Sequence, residues 1–160
     1  MYRTNLPFTI IPPQYTMHDI HIFPGSFDSE LSLFYASNIK AGFPSPAEDY
    51  LHDTLDFHRD LIRHPEATYY GRIAGPSMVD MGLDEGDIAV IDRALEPRNG
   101  DIVVASVDGE FTIKQLDLTH QDEGYVLLCP ANKDYEPIRI DTTRQLTLFG
   151  VVIYTIKAWR

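Results

Sequence analysis

Asp101-Ile-Val-Val-Ala-Ser-Val107, Asp108-Gly109, Glu110-Phe-Thr-Ile-Lys-Gln-Leu-Asp-Leu118: two runs of β type meet at a dipeptide that closes two-residue hairpins. With Asp108 and Gly109 as the loop, the register follows by counting outward. Val107 faces Glu110 and Val103 faces Lys114. Side chains alternate between the two faces of a strand, so Lys114 shares its side with Val103, Ala105, Thr112 and Leu116. That places one lysine among mostly apolar neighbours. Burial disfavours the ammonium form, and a lysine without its extra proton can serve as a general base. Lysines in hairpins also serve to block edge-to-edge pairing, so the base reading needs a substrate for the base.

Moving outward, the same β-type pattern recurs between turn residues: Thr68 to Ile73, Ile88 to Asp92, Tyr125 to Cys129, Ile138 to Ile140 and Leu146 to Ile156. Gly82, Gly86, Asn99-Gly100 and Asp108-Gly109 punctuate it, and no alternation of strand and long helix occurs. The spacing predicts a mostly β domain and argues against a doubly wound α/β sheet. Directly after the first of these runs stands Gly75-Pro76-Ser77-Met78. Glycine accepts backbone angles that other residues avoid and proline fixes its own, so the turn should hold the Ser77 hydroxyl in one place. Alone, Gly-Pro-Ser reads first as an ordinary surface turn. A serine is a weak nucleophile without a base. The six histidines (His18, His21, His52, His58, His64 and His120) come with no Gly-x-Ser-x-Gly elbow, which leaves Lys114 as the candidate partner of Ser77.

Gly-x-Ser-Met, a lysine 37 positions later in Gly-Glu-Phe-Thr-Ile-Lys, and an upstream Ala41-Gly42-Phe43-Pro44-Ser45-Pro46 together resemble the LexA/UmuD family of self-cleaving serine peptidases, its UmuD-like branch in particular. The resemblance runs from about Lys40 to Arg160 and takes in Gly82, Gly86-Asp87, Gly100-Asp101-Ile102-Val103 and Phe149-Gly150-Val151-Val152. It implies a compact β domain with a flexible N-terminal arm, Ser77 as nucleophile, Lys114 as general base, and Ala41-Gly42 as the bond the protein cuts in itself. It further implies stimulation by the RecA filament on single-stranded DNA, a homodimer, and a trimmed form that joins a UmuC-type Y-family polymerase as an accessory subunit in error-prone synthesis across lesions. No cofactor is implied. Pro76 has no N–H, so a backbone oxyanion hole at this turn would draw on the Ser77 N–H.

Composition narrows the alternatives. A chain of 160 residues with 44% hydrophobic residues suits one domain with a real core. A formal charge of −11 disfavours a phosphate-binding surface and hence direct DNA binding. Cys129 is the only cysteine, which fits a reducing compartment. No apolar run reaches the length of a membrane span and no secretory signal opens the chain, so a cytoplasmic location is expected. Residues 1–41 carry Pro7, Pro12, Pro13 and Pro24 and read as an arm, too short and too poor in basic residues for a helix-turn-helix headpiece. His18 and His21 are three apart without further ligands nearby, and no metal site is read from them. Ala41 and Gly42 are small enough for a crowded cleft, and Pro44 and Pro46 discourage regular structure, as suits either a presented substrate or a plain linker. Residues 42–67 read as a linker with one or two short helical turns ended by His64-Pro65, and 68–160 as the β-rich peptidase domain. Two other functions are compatible with these motifs: a type I signal-peptidase-like Ser-Lys endopeptidase, and a non-catalytic interaction protein.

Overall fold

The computed structural model of the chain describes residues 20–24, 33–35, 53–55 and 57–160. The chain divides into two compact units, Met1–Pro24 with Ala67–Arg160, and Gly25–Glu66. Within the smaller unit, β2 (Leu33–Tyr35) pairs antiparallel with β3 (Asp53–Leu55), Leu33 opposite Leu55, and one π-helical turn follows at Phe57–Leu61. Residues 47–64 thus hold a short strand as well as the helical turn that their uneven apolar spacing suggests. The Ala41-Gly42 bond lies outside the described residues.

The larger unit is built on an antiparallel sheet. Among the described residues it has eight strands: β1 (Ile20–Pro24), β4 (Thr68–Ile73), β5 (Ile88–Asp92), β6 (Ile102–Val107), β7 (Glu110–Asp117), β8 (Val126–Cys129), β9 (Ile138–Ile140) and β10 (Leu146–Ile156). Their spatial order is β1-β4-β5-β10-β6-β7-β8-β9. A mostly β fold is what the turn-punctuated runs require. The piece they do not announce is β1, which the arm contributes to the edge beside β4, with Ile20 opposite Ile73 and Pro24 opposite Tyr69.

The β6–β7 hairpin forms in the register that its loop dictates, Val107 opposite Glu110, Ala105 opposite Thr112 and Val103 opposite Lys114. Asp108 and Gly109 both take positive φ, 52° and 92°, so the turn twists with the strands it joins. Its tip is tied down from outside, because the Asp108 N–H donates to the Gln145 carbonyl at 2.9 Å and the Asp108 carboxylate accepts from the Gln145 N–H at 3.1 Å.

Both faces of this hairpin are covered. Val103, Ala105, Val107 and Leu116 pack in one apolar cluster with Leu128, Leu146 and Leu148. Val104, Phe111 and Ile113 point the other way, into a cluster with Ile73, Met78, Ile91 and Phe149. A strand covered on both faces loses the polar–apolar alternation of a one-sided sheet, which is why β6 reads as a near-continuous apolar run interrupted only by Ser106. The long strand β10 serves both neighbours, pairing β6 through Leu146–Val151 and β5 through Val151–Ile156, with a register shift between Leu148 and Gly150. Gly150 is required there: a Cβ would lie 2.8 Å from Ile91 Cγ2 and 2.9 Å from the Asp92 carbonyl oxygen, closer than such atoms approach. Among the described residues no helix is long and apolar enough to cross a membrane.

The chain end is stapled to the turn before β5. Lys157 Nζ lies 2.6 Å from carboxylate oxygens of both Asp84 and Asp87, and Asp87 is buried. Burial pushes the Asp87 carboxyl upward. The hydrogen bond from Lys157, the one from the Asp84 N–H and the Lys157 charge outweigh it and hold the group below the usual carboxylate range. Hydrogen bonds to Asp84 and Asp87 hold Lys157 above the ordinary lysine value. A depressed carboxyl stabilises the fold above its unfolded pKa and stops doing so as pH falls through its folded value. A raised lysine contributes below its unfolded pKa and ceases to as pH rises through its folded value. Thermal melts should therefore show Asp87→Asn less stable than the parent at pH 6, by about 1–3 kcal/mol for a buried hydrogen-bonded group. The two melts should draw together as the pH falls past the ordinary carboxylate value of 3.8 and meet only below the lower value of the folded protein.

Candidate active site

Strand β4 delivers the chain to the site. Its last residue, Ile73, exchanges backbone hydrogen bonds with the turn before β5, donating to the Asp87 carbonyl and accepting from the Gly86 N–H, both at 2.8 Å. Gly75 then takes φ 81°, a left-handed angle that strains other residues and that turns the chain into Pro76-Ser77. Immediately after Ser77 the chain is anchored again, because Met78 is 1% exposed in the core. A 3-10 turn, Val79–Met81, follows and closes on Gly82, with the Met78 carbonyl accepting from both the Met81 and Leu83 N–H groups. The serine is thus held between a strand end and a core side chain.

A second segment locks this turn from the side. The Ala131 N–H donates to the Ser77 carbonyl at 2.9 Å, and the Ala131 carbonyl accepts from the Asp80 N–H at 2.8 Å. Ala131 lies just past β8, and β8 pairs with β7, Cys129 opposite Gln115. This docking carries the Ser77 turn onto the strand that bears Lys114, although the two residues are 37 apart in the chain.

Lys114 is 6% exposed. Its Nζ lies 2.8 Å from Ser77 Oγ, 2.8 Å from Thr112 Oγ1 and 3.0 Å from the Ile113 carbonyl oxygen. These three partners are uncharged. The Thr112 hydroxyl and the Ile113 carbonyl accept from the amine, and Ser77 Oγ lies within hydrogen-bond reach of it. Thr112 is the member of this group that the sequence reading places on the right face without giving it a task. Alternation puts it beside Lys114, two residues back, but the contact depends on the lysine side chain bending toward the strand.

Two other candidate groups among the described residues are engaged elsewhere. Burial, and then the charge of Asp117, raise the Cys129 thiol, so it is not an activated thiolate. His120 stacks on Tyr125 with ring centroids 4.7 Å apart and is 2.9 Å from the Glu123 carboxylate.

A serine hydroxyl and a buried lysine amine in contact, set on a β scaffold, are the equipment of Ser-Lys acyl-transfer enzymes. The family model for Peptidase S24-like proteins matches residues 33–153, and the chain belongs to that family. Among curated proteins, Protein MucA of Salmonella typhimurium is 41% identical over 124 residues, 77% of this chain and 82% of that protein. Protein SamA of Salmonella typhimurium is 43% identical over 126 residues, 79% of this chain and 85% of that protein. The LexA repressor of Azoarcus sp. is 35% identical over 128 residues, covering 79% of this chain and 61% of the repressor.

Proposed function

We propose that this protein is a self-cleaving serine endopeptidase of the SOS mutagenesis response, cutting its own Ala41-Gly42 bond with Ser77 as nucleophile and Lys114 as general base. The observation that carries the reading is the 2.8 Å contact between Ser77 Oγ and a Lys114 amine that is 6% exposed. Membership of the S24 family and likeness to MucA and SamA support it.

The chemistry is acyl transfer in two steps. Neutral Lys114 takes the Ser77 proton as Oγ bonds to the Ala41 carbonyl carbon, and the carbonyl oxygen becomes an oxyanion facing the Ser77 N–H. Collapse of the tetrahedral intermediate breaks the Ala41–Gly42 bond, and the ammonium of Lys114 gives its proton to the leaving nitrogen of Gly42. Water, deprotonated by the same amine, then releases Ala41 as a carboxylate and restores Ser77. Pro76 offers no donor to the oxyanion.

In this reading the arm is both substrate and switch, because cleavage requires it to enter the cleft. The RecA filament on single-stranded DNA raises the fraction of molecules in that state. The product, residues 42–160, acts in the cytoplasm as a homodimer and as the accessory subunit of a UmuC-type Y-family polymerase that copies past lesions. The test is to incubate the purified chain at raised pH, and separately with RecA, ATP and single-stranded DNA, and to weigh the products. One cut is expected, giving fragments 1–41 and 42–160. An intact chain under both conditions would overturn the peptidase reading.

A further inference from the structure

The mechanism asks for donors aimed at the oxyanion, and the Pro76–Ser77 peptide has to supply the first of them. A trans peptide is planar, with its N–H pointing opposite to its C=O. Whatever holds the Pro76 carbonyl therefore aims the Ser77 N–H. Two groups hold it: the Val79 N–H reaches it at 3.4 Å, and a side chain distant in sequence makes the shorter bond, Asn132 Nδ2 donating to the Pro76 carbonyl oxygen at 2.8 Å. The orientation of that amide is fixed by its other end, where Asn132 Oδ1 accepts from the Asp134 N–H at 2.9 Å. An oxygen engaged by a donor on one side leaves only the NH2 to meet a carbonyl on the other. The neighbouring Ala131 N–H holds the next carbonyl along, that of Ser77, at 2.9 Å. The Ala131-Asn132 pair thus restrains the peptide planes on both sides of the serine. Main-chain contacts from Ala131 would form with any residue there, whereas the Pro76 bond needs the Asn132 side chain.

We infer that Asn132 is a positioning residue for the oxyanion hole: its Nδ2, by clamping the Pro76 carbonyl, holds the Ser77 N–H toward the oxygen of the tetrahedral intermediate. The inference rests on the proposed Ser77–Lys114 peptidase. The Asn132 side chain bonds to the Pro76 carbonyl and the Asp134 N–H, so its expected action on the rate is through the peptide plane.

Two substitutions separate the clamp from the rest of the loop. Asn132→Ala removes both side-chain bonds. Asn132→Asp keeps the acceptor for the Asp134 N–H and loses the donor to Pro76, setting a carboxylate oxygen against a carbonyl oxygen. Self-cleavage is followed across pH in the full-length protein. In parallel, the rate at which a fluorophosphonate labels Ser77 is measured, since that adduct is tetrahedral and does not involve the arm. Loss of a whole oxyanion-hole donor costs on the order of 10²–10³ in rate, so loosening one should cost roughly 10- to 100-fold. The expected result is that plateau in both variants, for cleavage and for labelling, with the pH midpoint of Asn132→Ala where it stands in the parent. Thermal melting of Asn132→Asp should stay close to the parent's.

A parental plateau in Asn132→Asp would overturn the inference while leaving the peptidase reading intact, and so would a shifted midpoint without plateau loss in Asn132→Ala. A parent chain that neither cleaves nor labels would overturn the peptidase reading and the inference with it.

Discussion

Replacing Ser77 by alanine should abolish self-cleavage, lowering the rate on the order of 10⁴-fold or more, while the protein stays folded. The size follows from what is removed. Without Oγ no acyl intermediate can form, and the remaining donors and bound arm can only favour direct attack by water, which in Ser-based hydrolases leaves a small residue of activity. The fold should survive because the serine side chain is not part of either apolar cluster; what anchors this turn is Met78 in the core and main-chain bonds to Ala131. The substitution has a second consequence. Lys114 keeps Thr112 and the Ile113 carbonyl as partners but loses the Ser77 hydroxyl, so one hydrogen bond at its amine is gone. A buried amine with a missing partner carries a cost, about 1–3 kcal/mol by comparison with other buried polar groups. Mass spectrometry of the incubated variant reads the first effect and thermal unfolding the second. A Ser77→Ala chain that is cut at Ala41-Gly42 at the parental rate would remove the serine from the reaction.

The sequence was informative where structure is local. Asp108-Gly109 fixes a hairpin because both residues must take positive φ for the turn to follow the strand twist, and from that one dipeptide the Val103–Lys114 pairing follows by counting. The strand runs Thr68 to Ile73, Ile88 to Asp92 and Leu146 to Ile156 are likewise legible, since β-branched and aromatic residues concentrate between turn residues. Nothing comparable marks β1. Ile20-His-Ile-Phe-Pro24 lies in a proline-bearing stretch with no sustained period, and it becomes a strand because the edge of β4 offers it hydrogen bonds. Propensity yields to tertiary pairing in the same way at Asp53–Leu55. At the site, the sequence names Ser77 and Lys114 through their motif contexts but is silent on what brings them together. That task falls to Ala131 and Asn132, which follow a strand neighbouring β7 and meet the Ser77 turn through main-chain and amide bonds. Pro130, Asn132 and Asp134 mark a turn there, but such contacts are set by the sheet order, and a turn signal does not say which distant loop the turn will meet.

Lys114 should prove as necessary as Ser77, and its replacements should divide by what they do to the amine. Lys114→Ala and Lys114→Met both remove the proposed base, so cleavage should fall to the level of Ser77→Ala, and if the two groups act as a unit the double variant should be no slower than either single one. Stability should separate the two. An amine that is 6% exposed, surrounded by Val103, Ala105 and Leu116 on its own side of the sheet, gives way to an unbranched thioether of similar length that needs no hydrogen-bond partner. The Ser77 and Thr112 hydroxyls and the Ile113 carbonyl lose the amine in both variants, so thermal unfolding should show Lys114→Met more stable than Lys114→Ala, which adds a cavity costing about 2–5 kcal/mol on the scale of large-to-small core changes. The pH dependence supplies the remaining discrimination. Only the neutral amine can accept the Ser77 proton, so in the parent the cleavage rate should climb about tenfold per pH unit while the ammonium dominates and then level off. Arginine tests the same point without emptying the site, because a guanidinium stays charged at every pH the fold survives. Lys114→Arg should stay inactive at alkaline pH. A Lys114→Arg chain whose rate rose with pH as the parent's does would assign the titration, and with it the base, to another group.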